Sequence, residues 1–170
     1  MQQTIATTKI KKMIIPKIGI SEIHLQKSIE LLSIILSDEM TLYIKTRKFH
    51  WNVAGESFME MHKLFESQYT DLEKIIDEVA ERISKLGGKT IGTMSEFATL
   101  SRIIEHPNKY PIKKAMITEL LSDHETLVAE LRKDIDVCTD DCHDAGTADL
   151  LTGILQQHET IAWVLRRYLN

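Results

Sequence analysis

The chain has 170 residues, 43 % apolar and 27 % charged, the proportions of a single globular domain large enough to bury a real core. Only 7 Gly and 3 Pro are present, few for the many turns of an all-β fold. The net charge is −4, but Lys9, Lys11, Lys12 and Lys17 place +4 on residues 1–20 and leave −8 on the rest, which argues against a conventional DNA-reading domain.

No run of 18 or more apolar residues is present, so no membrane span is expected. Met13-Ile14-Ile15 is too short for a signal-peptide core and is cut by Pro16. Cys138 and Cys142 do not make a disulfide framework and read as free thiols, so a cytoplasmic protein is the simplest expectation.

Residues 1–20 read as a flexible or extended basic arm, and residues 21–170 as one helical domain. Ser21 offers an N-cap, with Glu22 in the first turn. Leu25, Ile29, Leu32, Leu36, Tyr43 and His50 then fall on one stripe at helical spacing. His50 thus takes a core-facing position near the end of a first helix, and Asn52 and Gly55 mark the turn. Ser57-Phe58-Met59-Glu60 has the form of a capping box. It opens a second helix that runs to Gly87-Gly88, a strong stop signal.

Residues 88–111 form a long connection with a short helix predicted from Met94 to Ile104. A third helix is predicted from Ile112 to Val137, and a fourth from Thr147 to Leu169. Four long helices with a long middle link let the second and third run in the same direction. The expected fold is all-α, a ferritin-like four-helix bundle whose long crossover between helices 2 and 3 carries a short extra helix.

The second helix carries His62, Glu66, Asp77 and Glu81. With His62 at zero, the other three fall at about 40°, 60° and 100° around the helix, all on one face. Height separates them: His62 and Asp77 are 15 residues apart, or about 22 Å of rise. Metal bonds are about 2 Å, so one helix cannot bring both pairs to one ion. A second copy resolves this. The pairs 62/81 and 66/77 share one midpoint, near Asp71 and Leu72. Two antiparallel helices about a two-fold axis there set His62 level with Glu81 of the other copy, and Glu66 level with Asp77. His50 closes the cluster. The prediction is two metal sites per dimer, each with His50, His62 and Glu66 from one chain and Asp77 and Glu81 from the other. Acids four apart on a helix are ordinarily a solvated face; the shared midpoint and the position of His50 favour ligation. His, Glu and Asp together suit iron, manganese or zinc. None of the seven histidines has Glu three residues before it, which argues against the ordinary intrachain di-iron centre.

The string FHWNVAGESF (Phe49 to Phe58), His62, Asp77-x-x-Ala80-Glu81-Arg82, Gly87-Gly88, Thr93-Met94-Ser95-Glu96, Leu100-Ser101-Arg102 and Ala162-Trp163 resemble the Dps family, mini-ferritins named as DNA-binding proteins of starved cells. The resemblance covers residues 21–169. It implies a hollow dodecamer in which Fe(II) is oxidised at the dimer interface, preferably by hydrogen peroxide rather than dioxygen, and stored as ferric mineral. Zinc or manganese are possible substitutes for iron. At the third ligand the family often has Asp, where this chain has Glu66.

Trp51, beside His50, is a candidate electron relay or simply a packing residue. The resemblance makes Asp144 and Asp149 candidates for an acidic iron pore; helix N-terminal acids favoured by the macrodipole are the alternative. Lys9, Lys11, Lys12 and Lys17 are candidate DNA contacts, and a nucleoid-compacting DNA-binding protein is the rival function. His24, His106, His124 and His158 have no partner identifiable from the sequence.

Overall fold

The computed structural model describes residues 14–170. Lys9, Lys11 and Lys12 lie outside the described residues. All regular structure among the described residues is helical: α1 (Glu22–Asn52), α2 (Phe58–Lys85), α3 (Met94–Leu100), α4 (Lys113–Asp136) and α5 (Ala145–Arg167). A π-helical turn, Val137–Asp141, joins α4 to the loop before α5. No helix is long and apolar enough to cross a membrane.

α1 starts as its sequence predicts, with the Ser21 hydroxyl accepting from the His24 amide. α2 does not. Ser57 sits in the left-handed region at φ 60° and makes no side-chain cap bond. The chain leaves Gly55 in a tight turn, in which the Phe58 amide donates to the Gly55 carbonyl. Glu60, the expected capping-box partner, instead accepts from the Tyr168 hydroxyl at 2.7 Å. The capping box of this chain lies at α3, where Thr93 and Glu96 bond each other's backbone amides. Gly87, at φ 86°, ends α2 and returns its amide to the Ser84 carbonyl. A side chain there would also meet Pro16, 2.7 Å from the position a Cβ would take. Pro16, within the stretch read as a flexible or extended arm, therefore lies against the end of α2.

α3 stops four residues short of the predicted Ile104. Ser101 turns extended, and Asp38 in α1 takes both the Arg102 backbone amide and its guanidinium. Arg102 also reaches Asp134 at 3.0 Å and Glu130 at 3.4 Å, both on α4. Lys45, only 4 % exposed, bonds the Ile104 carbonyl, Asp123 and Glu119. These two cations staple the crossover between α1 and α4. Burial pushes the Asp38, Asp123 and Asp134 carboxyls above their ordinary values, against the pull of Arg102 and Lys45.

Cross-helix contacts fix direction. Glu60 meets Tyr168 and Arg82 meets Asp144, so α2 and α5 are antiparallel. Arg132 meets Glu159 and Glu125 meets Arg166, so α4 and α5 are antiparallel and α2 and α4 run the same way. This is the one-crossover bundle expected from the sequence. Its core is built from Leu32, Ile35, Leu36 and Leu42 of α1, Phe65, Leu72 and Ile75 of α2, and the facing stripes of α4 and α5.

Candidate metal centre

The end of α1 and the first turns of α2 lie side by side because the turn between them is only five residues long. That brings His50 and His62 face to face, their rings stacked with centroids 3.7 Å apart and 21° between planes. Each holds the other by the backbone. His50 Nδ1 lies 2.8 Å from the His62 carbonyl oxygen, and His62 Nδ1 lies 3.0 Å from the His50 carbonyl oxygen. A carbonyl only accepts, so each Nδ1 carries the proton and donates. Each Nε2 is therefore the ring nitrogen left for a metal, with the other nitrogen oriented by the backbone. Phe58 covers the far side of His62 at 5.1 Å, and Tyr69 meets His50 edge-on at 5.2 Å. His50 is 8 % exposed and its position is fixed by packing.

Glu66, Asp77 and Glu81 stand on the exposed face of α2, away from its buried stripe of Met61, Phe65, Gln68, Leu72, Ile75, Val79 and Ile83. Glu66 is one turn beyond His62. Asp77 and Glu81 lie at the other end of the helix, where Glu81 pairs with exposed Lys85 at 2.9 Å. Within one chain the five predicted residues form two separate groups. Among the described residues no three His, Cys, Asp or Glu side chains are grouped to hold a metal ion.

Trp51 is exposed, with the Arg47 guanidinium 5.5 Å from its ring centroid. Arg47 also lies 4.7 Å over Tyr69 and donates to the Tyr43 hydroxyl, which raises its pKa further. This aromatic cluster around one guanidinium, in edge contact with His50, was not read from the sequence. Tyr43 was taken only as a stripe residue, although Arg47 lies four positions after it and four before Trp51.

Asp144 requires a correction. It is 1 % exposed and caps α5, accepting from the Thr147 amide at 3.0 Å and the Thr147 hydroxyl at 2.6 Å. Arg82 closes on it at 2.7 Å. Burial raises its pKa, and the Thr147 bonds and Arg82 together outweigh that, holding it below the ordinary carboxyl value. A carboxylate so enclosed is a structural cap and not a lining acid. Asp149 is exposed on α5, just past its first turn, and Asp140 and Asp141 are exposed before the helix. Lys17 is exposed as well.

Cys138 and Cys142 are free and buried, and burial pushes the Cys138 thiol up to about 12. Three of the histidines without assigned partners have one. His24 meets His143 edge-on at 5.3 Å. His124 and His158 bond each other and Glu39 in the bundle core. The sequence carried a signal for the latter. Each interrupts an apolar stripe, as Glu39 does between Leu36 and Leu42.

Comparison with known proteins agrees with this architecture. The ferritin-like domain family matches residues 29–170. An uncharacterised low temperature-induced protein of Nostoc is 41 % identical over 153 residues, covering 90 % of this chain and 86 % of that protein. DNA protection during starvation protein 2 of Bacillus anthracis is 37 % identical over 142 residues, covering 84 % and 96 %. The crystal structure of a Dps protein from Vibrio cholerae, described as a member of a broad superfamily of ferritin-like diiron-carboxylate proteins, superposes with a TM-score of 0.86 at 29 % identity, covering 94 % of this chain and 99 % of that one. The chain belongs to the ferritin-like domain family, in its group of Dps proteins, those named for DNA protection during starvation.

Proposed function

We propose that this protein binds Fe(II), oxidises it at sites shared by two chains, and stores the product inside a homo-oligomer, a dodecamer by resemblance. The observation that carries the reading is the His50–His62 pair. Two imidazoles whose Nδ1–H groups both donate to backbone carbonyls leave their Nε2 atoms as the ones available to a metal. That arrangement serves a metal and serves no other partner in the chain.

His50, His62 and Glu66 of one chain and Asp77 and Glu81 of the other make the site. Imidazole and carboxylate together suit iron, and zinc or manganese bind the same donors. The substrate Fe(II) gains carboxylate charge that stabilises Fe(III) as it forms. Two Fe(II) give two electrons to one hydrogen peroxide, which takes up two protons and leaves as two waters with two Fe(III) formed, so the peroxide is denied to free iron. Protection of DNA follows from that chemistry without DNA contact, which is how a negative body reconciles with the name its relatives carry. Asp149, with Asp140, is the reading for iron uptake in place of Asp144. Trp51 and the Arg47 cluster sit where an electron would leave the site.

Anaerobic Fe(II) titration tests the reading. Saturable binding of Fe(II), lost in His62→Ala and in Asp77→Ala, is expected. No saturable binding in the unaltered protein would sink it. DNA contact by Lys9, Lys11, Lys12 and Lys17 is the rival emphasis, and gel shift at two salt concentrations measures it separately.

A further inference from the structure

Arg47 is half-buried among aromatic rings. Its Cζ lies 4.7 Å from the Tyr69 ring centroid, 5.4 Å from that of Tyr43 and 5.5 Å from that of Trp51, and its guanidinium donates to the Tyr43 hydroxyl. Its Nε is buried with no hydrogen-bond partner. Arg82, Arg102, Arg132 and Arg166 each pair with a carboxylate; Arg47 pairs with none among the described residues. The charge of Glu73, one turn beyond Tyr69 on α2, adds to a rise in its pKa that the Tyr43 bond chiefly causes and burial opposes. Glu73 itself is exposed. A guanidinium drawn partly out of water calls for a carboxylate, and its own chain closes none on it.

The register of the shared site supplies one. Tyr43 meets Tyr69 as His50 meets His62, so α1 and α2 are antiparallel and Arg47 reaches along α2 from the histidines toward the middle of the helix. With His62 at zero, Tyr69 falls at about −20° and Glu73 at about 20° around α2, on the edge of the metal face that lies toward α1. A two-fold axis normal to both α2 helices keeps α1 of each copy on the same side of the seam. Pairing that sets His62 level with Glu81 of the other copy sets Glu73 level with Thr70 of the other copy. Each Glu73 therefore arrives about 1.5 Å of rise from Tyr69 of the facing chain, the ring over which Arg47 lies. The same pairing lines the seam with Glu66, Glu73 and Asp77 from both copies. A metal ion at each end neutralises Glu66 and Asp77, and leaves Glu73 in the middle. Lys74 stands at the edge of the face and is taken by Asp71 at 3.0 Å.

We propose that Arg47 of each copy pairs with Glu73 of the other, so that two guanidiniums and two carboxylates close a charge cluster on the two-fold axis, between the two metal sites. The surface fits a second copy of this chain in one register, the one that brings the half-sites together. Sliding α2 by one turn carries each Glu73 about 5.4 Å away from its Arg47. The aromatic rings around the guanidinium exclude water and strengthen the pair. The inference rests on the two-fold arrangement of the shared site, and its test needs no metal.

Charge reversal in separate full-length chains, with chelator present, tests the cluster. Arg47→Glu sets acids against acids across the seam, and Glu73→Arg sets bases against bases. Each variant alone is expected to assemble at least about ten-fold more weakly than the unaltered protein, read as native mass over a dilution series. Mixed one to one, the two variants form both pairs again with the signs exchanged, and assembly is expected to return. A pair within one chain cannot do this, because each variant carries like charges at 47 and 73 whatever its neighbour. Unchanged assembly in either variant alone, or no recovery on mixing, overturns the proposal. Helical circular dichroism checks each fold. If a reversal fails it, Arg47→Gln and Glu73→Gln take its place: their losses are expected to be non-additive, and additive losses overturn the proposal equally. Recovery on mixing without saturable Fe(II) binding would strike the metal reading and leave this pair, and Fe(II) binding without recovery would strike the pair alone.

Discussion

His50 and His62 each donate Nδ1–H to the other's backbone carbonyl, at 2.8 and 3.0 Å, while their rings stack at 3.7 Å. Both rings are thereby fixed by the backbone, with each Nε2 left clear of those carbonyls. His62→Ala removes one ligand and one of the two braces on His50. Fe(II) oxidation is expected to fall at least ten-fold, as it does when metal support is lost elsewhere. His62 is half-buried at a helix start, so native mass and helical content should be unchanged. Initial rates of Fe(III) absorbance with limiting peroxide measure the effect; a rate within two-fold of the unaltered protein contradicts the assignment.

Asp144 and Asp149 separate a structural acid from an uptake acid. Asp144→Ala removes an N-cap and leaves the Arg82 guanidinium, itself partly enclosed, without its partner. The cost is expected to be about 2–4 kcal/mol, read as a drop in thermal midpoint. Asp149→Asn touches an exposed carboxylate and leaves the midpoint where it was. It slows iron uptake instead, measured as the rate of mineral formation at fixed Fe(II). The opposite pattern would return Asp144 to the pore.

His124 gives stability a pH dependence whose sign follows from burial. Burial, and then the nearby His158, hold the His124 imidazole well below its ordinary 6.5. Below pH 6.5 the unfolded chain takes up a proton at this position that the folded chain refuses. Stability from this group is therefore complete above pH 6.5 and declines as the pH falls below it. Denaturant midpoints between pH 7.5 and 5.5, with chelator present, should fall for the unaltered chain. They should fall less for His124→Gln. Equal slopes would show that His124 does not carry the effect.

Much of this was legible because helices write their faces into the sequence. The stripe from Leu25 to His50 placed His50 in the core, and the rise per residue showed that α2 alone separates His62 from Asp77. Both follow from the backbone, which is regular. What was missed depends on side chains from distant segments. The Ser57-to-Glu60 pattern is a capping box by spacing, but Tyr168, over a hundred residues away, takes Glu60. α3 looked longer because nothing near Ser101 announces that Asp38 captures Arg102. Glu39, His124 and His158 were each visible as a polar break in an apolar stripe, yet their meeting required the packing of three helices.

The basic arm is tested by salt. Lys17 is exposed, and Lys9, Lys11 and Lys12 precede the described residues. If several copies of the arm hold DNA, binding should disappear on removal of residues 1–20 and weaken steeply from 50 to 200 mM salt. Iron oxidation should be unaffected by the same truncation. Retained binding in the truncated protein would place any DNA contact on the body, against its net charge.

The central claim is that each site is made by two chains, and mixed assembly measures it most directly. His62→Ala and Asp77→Ala chains are each expected to be nearly inactive, because every interface lacks a ligand at both sites. Dissociated and reassembled together, a mixed dimer places both substitutions in one site and leaves the other intact. Fe(II) oxidation should then return to about a quarter of the unaltered rate for equal, random mixing, since half of the dimers are mixed and each has one intact site of two. Activity that stays at the level of the separate variants, with native mass showing that mixed assemblies formed, would contradict a site shared across the two-fold axis.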